Sequence, residues 1–105
     1  MKKSVLAVIG LFTTQAAFAW DGITTSTISQ IDTTDGPAIA FRIYFGSNPI
    51  CGSEYNWAYL NTTDPNYSVY VATVLMAKAT SSTVIVYSNR DSNGYCHMHY
   101  ITVAS

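Results

Sequence analysis

The chain has 105 residues, 49% of them hydrophobic and only 10% charged, with a formal net charge of −1. That length allows one domain with one modest core, burying roughly 60 to 65% of its unfolded surface, and leaves no room for a second. With so few cations and no basic stripe, nothing is available to neutralise phosphates, so nucleic-acid binding and docking on anionic membranes are disfavoured.

The first nineteen residues read as a removable signal peptide. Met1, Lys2 and Lys3 form a basic start, Val5 to Phe12 an apolar run, and Ala17-Phe18-Ala19 a small-x-small cleavage site, placing the mature start at Trp20. The apolar run is too short to span a bilayer, and no later stretch approaches the roughly 20 apolar residues a spanning helix needs. Residues 20–105 are therefore expected as one exported domain, periplasmic or extracellular, without membrane insertion. Loss of Lys2 and Lys3 leaves Arg42, Lys78 and Arg90 against six carboxylates, a net charge of about −3. Its surface is then mostly Ser, Thr, Asn and Tyr, suited to neutral hydrogen-bonding partners or simply to solubility. The two cysteines, Cys51 and Cys96, are expected to form one disulfide in an oxidising compartment, worth ~4 kcal/mol in the chain-entropy model.

Ile23 to Ile31 reads as a first, irregular strand, ending at the Asp35-Gly36-Pro37 turn. Ala38 to Phe45 alternates cleanly, with Ile39, Phe41, Ile43 and Phe45 on one face, as a half-buried strand does. The Gly46 to Gly52 loop delivers Cys51 to a third strand, Glu54 to Leu60. Asp64-Pro65 then marks a helix start, the carboxylate capping the first turn and the proline occupying the first helical position. From there Tyr67, Tyr70, Val71, Val74 and Leu75 recur at helical spacing and predict a buried stripe. The β-branched and aromatic content makes this a poor helix by propensity, so packing must hold it. Thr83 to Tyr87 returns to a two-residue period, and after an Asn-Gly turn Cys96 to Val103 forms the last strand.

The predicted order is three strands, one helix and two strands. That is the order of a mainly β, five-stranded, OB-like and partly closed barrel with its helix between strands 3 and 4. The mature start at Trp20, the Cys51-Gly52 pair, YVATVLMAKATSSTVIVYS and the final GYCHMHYITV resemble a group of small exported bacterial proteins of unknown function. More distantly, the arrangement is similar to the OB-fold B subunits of AB5 toxins. That resemblance implies assembly into pentamers and recognition of cell-surface glycans, with no sugar-binding motif that aligns residue by residue.

Tyr55, Trp57 and Tyr59 share one face of the third strand and are the candidate ligand-binding residues, since aromatic rings stack on the apolar faces of sugars. The competing reading makes that face part of the core. Register decides between them: with Asn56, Ala58 and Leu60 inward, the aromatics become a platform. His97 and His99 lie on the same side of the last strand, but no third ligand is nearby in sequence, so no metal is expected. Nucleophile elbow, phosphate loop and zinc-helix motifs are all missing from the sequence, and neither enzyme activity nor a cofactor is expected. The expected partner is a glycan or, alternatively, a protein bound by a monomeric inhibitor-like domain. Val69 and Met76, with Ala72 and Thr73 between them, offer a strip for self-association.

Overall fold

A computed structural model describes residues 19–104. The basic start and apolar run of the expected signal peptide, and all but Ala19 of its cleavage site, lie outside the described residues. The elements are β1 (Gly22–Ser26), β2 (Gln30–Thr33), β3 (Phe41–Tyr44), β4 (Trp57–Leu60), α1 (Tyr67–Ala79), β5 (Thr83–Arg90) and β6 (Cys96–Ala104). The class is mainly β with one helix, as expected.

Strand count, closure and helix position differ from expectation. The single first strand predicted over Ile23 to Ile31 is two strands. β1 pairs antiparallel with β5 and β2 pairs antiparallel with β3. The sheet order is β1-β5-β6-β4-β3-β2, an open ladder of six strands with β1 and β2 at opposite edges. The helix accordingly lies between the fourth and fifth strands. Thr27 to Ser29 cause the division by leaving the ladder, and Ile28 between them is buried in the core. Six strands laid flat would span about 24 Å at ~4.8 Å per neighbour. The few residues joining β1 to β2 reach at most ~14 Å, so the sheet must curl strongly.

The concave face holds Phe41 and Ile43 of β3, Ala58 and Leu60 of β4, Val84 and Val86 of β5, and Cys96 and Met98 of β6. Val74 and Ala77 of α1 close over them, with Tyr67, Tyr70 and Val71 packed alongside. Leu75, assigned to the buried stripe from its spacing, is instead 50% exposed. Ala77 takes its place, because the contact line drifts around the helix at 3.6 residues per turn.

The helix start also departs from expectation. Asp64 and Pro65 lie in a turn before the helix, and the N-cap is Asn66, in the left-handed conformation with φ 62° and no side-chain capping bond. The Asp64 carboxylate is engaged elsewhere: it accepts from the Asn61 amide at 2.8 Å and from the His97 imidazole at 2.8 Å. Cys51 and Cys96 form the expected disulfide, Cα to Cα 6.2 Å, tying the β3–β4 loop to the start of β6. β1 crosses this bridge so closely that a Cβ on Gly22 would lie 2.5 Å from the Cys51 Cα.

Candidate functional site

β4 answers the question of register. Ala58 and Leu60 point into the core, so Trp57 and Tyr59 lie on the opposite face of the sheet, the orientation required of a platform. They are nonetheless covered, Trp57 at 9% and Tyr59 at 4% exposure, while Tyr55 is 40% exposed. The cover comes from neighbours on the same face. The Arg42 guanidinium carbon sits 4.9 Å from the Trp57 ring centroid, a cation over a π face. Tyr95 packs at 5.2 Å from Trp57 and 5.4 Å from Tyr55. Of the three predicted residues, only Tyr55 therefore offers a free aromatic surface.

From Tyr59 the aromatic row continues onto β6. Tyr59 and His97 are register partners in the parallel β4–β6 pair, and their rings stack with centroids 4.8 Å apart and planes 6° apart. The Tyr59 hydroxyl donates to Asp91 at 2.5 Å. Burial and then the bond to Asp91 push the Tyr59 phenol well above the ordinary tyrosine range. Burial alone would raise the Asp91 carboxyl, but the Tyr59 hydroxyl and the Tyr95 and Asn93 amides outweigh it and hold Asp91 below its ordinary value.

A cleft of about 400 Å³ opens where this row meets the start of the helix. Asp64, Asn66, Tyr70, His97 and His99 supply its polar groups, and Pro65 and Met98 its apolar surface. The β4–α1 turn positions Asp64, and its backbone explains why: Asn61 and Asp64 bond each other, while the Asn61 side chain accepts from the Ile39 amide at 2.7 Å. An ionised carboxylate can only accept, so in this pair the His97 Nε2–H is the donor to Asp64. Tyr70 reaches from the helix and donates to the His99 carbonyl at 2.8 Å.

A β-bulge shapes the other side. Between Tyr87 and Ser88 the β5–β6 register shifts by one, because Tyr87 faces Tyr100 and Ser88 faces Met98. His99 is the extra residue. Before it Cys96 and Met98 face the core; after it Ile101 and Val103 do. The bulge thus brings His99 and Tyr100 out together, His99 within 4.5 Å of His97 between ring centroids. Partial burial and the neighbouring His97 lower the His99 pKa, and Asp64 offsets only part of this. Among the described residues no three His, Cys, Asp or Glu side chains converge as metal ligands.

Sequence spacing brought His97 and His99 together on one side, as found. It gave no sign of Asp64, whose apparent duty as a helix cap masked its bond across 33 residues to His97. The arrangement offers acceptors, donors and ring faces at one concavity, the equipment for holding a hydroxylated ligand. No protein-family model, curated protein or solved structure matches the chain.

Proposed function

We propose that this chain is an exported, non-catalytic binding module, cleaved after Ala19, that recognises a neutral glycan and assembles as an oligomer in the manner of toxin B subunits. The observation that carries the reading is the cleft at Asp64, Asn66, Tyr70, His97 and His99. A carboxylate, an amide, a phenol and imidazoles beside ring faces match the alternating hydroxyls and C–H surfaces of a sugar. Tyr59 serves this site through its stack on His97, Trp57 by supporting Tyr59, and Tyr55 as the open end of the row.

Export is supported by the disulfide and by the sequence of the first nineteen residues; no helix among the described residues is long and apolar enough to cross a membrane. An OB-like architecture is supported by the strand connections. Counted as one bent strand, β1 and β2 give a five-stranded path whose helix follows the third strand, with β4 parallel to β6. Assembly is supported by Val69, Leu75 and Met76, exposed together on the outer side of α1.

The test is binding of the purified, exported protein, disulfide intact, to an array of immobilised neutral mono- and oligosaccharides, beside its Asp64→Asn variant. Wild-type binding that weakens at least tenfold in the variant supports the reading. A wild-type protein that retains no saccharide at millimolar equivalents sinks it. Light scattering decides the oligomer, a monomer pointing to the alternative of a protein-binding or inhibitor domain.

A further inference from the structure

Two exposed aromatic side chains stand beside the cleft without belonging to it. Trp20 is 38% and Tyr100 54% exposed. Both lean on Tyr87, Trp20 at 5.7 Å edge-on and Tyr100 at 5.0 Å edge-on between ring centroids. Trp20 also lies 6.0 Å from His99, with planes tilted 34°. His99 lines the cleft, so the aromatic group and the cleft share one wall.

This grouping is built by the backbone. The bulge at His99 turns Tyr100 outward, where an unbroken strand would have sent it toward the core. Trp20 is held by the residue after it. The Asp21 amide donates to the Asn89 side chain at 2.9 Å, and the Asp21 carboxylate accepts from the Arg90 amide at 2.7 Å. Both outer rings meet Tyr87 edge-on, and each keeps a substantial share of its surface open to solvent. A platform fixed in this way costs little ordering entropy when a ligand stacks on it.

Resting on the glycan reading of the cleft, we infer that Trp20 and Tyr100 form a second subsite, and that the ligand is an oligosaccharide rather than a single sugar. One unit sits among Asp64, Asn66, Tyr70 and His97. The next crosses His99 and lays its C–H face on the Trp20–Tyr100 platform. The cleft supplies hydrogen bonds and the platform supplies ring faces, so the first subsite sets orientation and the second adds affinity that grows with chain length.

The experiment is calorimetric titration of the purified, exported protein with galactose, lactose, glucose, cellobiose and cellotriose, followed by any array hit and its component monosaccharide. Trp20→Ala and Tyr100→Ala are expected to weaken di- and trisaccharide binding by roughly threefold to tenfold, the loss of one aromatic partner, and to leave monosaccharide binding unchanged. Trp20→Phe, which keeps a ring, recovers most of the loss, and unchanged thermal melting of each variant shows that the fold is intact. Oligosaccharide binding equal to wild type in both alanine variants overturns the platform and leaves the cleft standing. An equal loss for mono- and oligosaccharides also overturns it, because the rings then serve the first subsite. Absence of any saccharide binding by the wild type removes the platform together with the reading on which it rests.

Discussion

The imidazole of His97 lies flat against Tyr59, ring planes 6° apart, and this stack joins two acidic anchors on different loops. Tyr59 holds Asp91, in the turn between β5 and β6, and His97 holds Asp64, in the turn before the helix. The pair fastens β4 to β6, whose only backbone register is Ala58 with Cys96 and Tyr59 with His97. Side chains here do part of the work that a longer ladder would do.

Tyr59→Phe separates the ring from the hydroxyl. The stack survives, but Asp91 loses one donor while the Asn93 and Tyr95 amides still hold it in place. A cost of about 1.5–3 kcal/mol is expected for a hydrogen bond to a charged group, read as a lower urea midpoint at unchanged slope. The pH response gives a second check. The folded-state phenol titrates above the unfolded one, so wild-type stability from this group is intact below pH 10 and falls as pH rises past 10. That alkaline loss should shrink in Tyr59→Phe; an identical alkaline profile in the two proteins contradicts the assignment.

His99 predicts the opposite edge of the pH range. Its folded pKa lies below the ordinary 6.5, so the unfolded chain takes up the proton first as pH falls. Stability should therefore decline on acidification below pH 6.5, and less steeply in His99→Gln than in wild type. Thermal melting at pH 7.5, 6.5 and 5.5 measures the difference. Parallel declines would show that His99 is not held neutral by its surroundings.

Gly22→Ala tests the crossing of β1 over the disulfide. The new Cβ would meet the Cys51 backbone, Cα at 2.5 Å and N at 2.8 Å, and neither atom can rotate away. β1 must shift, at a cost of about 1–3 kcal/mol typical of overpacking. Gly36→Ala is the control, since a Cβ there meets nothing within 4 Å. Equal melting temperatures for the two variants would mean that β1 does not lie where the structure has it.

These features were legible to different degrees before the structure. Alternation of Ile39, Phe41, Ile43 and Phe45 marked a core face because burial on one side of a strand imposes a two-residue period. The last three are buried, whereas Ile39 lies before β3 with φ 50° and is outside the core. The disulfide followed from two cysteines in a chain expected to be exported. The split of the first strand was harder to see, because Thr and Ser serve equally in strands and in breaks, and only the partners of each half, β5 and β3, reveal the division. The bulge at His99 carries no glycine to announce it. Asp64 was misread for a physical reason: a carboxylate before Pro65 satisfies the local rule for a cap, while its bonds to His97 and Asn61 depend on how the turn is folded.

The outer side of α1 supplies the last prediction. Val69 is 60% exposed and Met76 and Leu75 about half exposed, with Ala72 exposed between them. Lys78 is the one charged residue in the helix. Among the described residues nothing covers this strip, so Val69→Asp should change monomer stability by no more than ~0.5 kcal/mol, as for other surface substitutions. Placed in a subunit contact, the same carboxylate loses its water without gaining a partner and separates the subunits. Light scattering on a sizing column should therefore give a folded monomer for Val69→Asp where wild type gives an assembly. An assembly of unchanged mass moves the contact off this face of the helix, and the two edge strands β1 and β2 become the surfaces to mutate next.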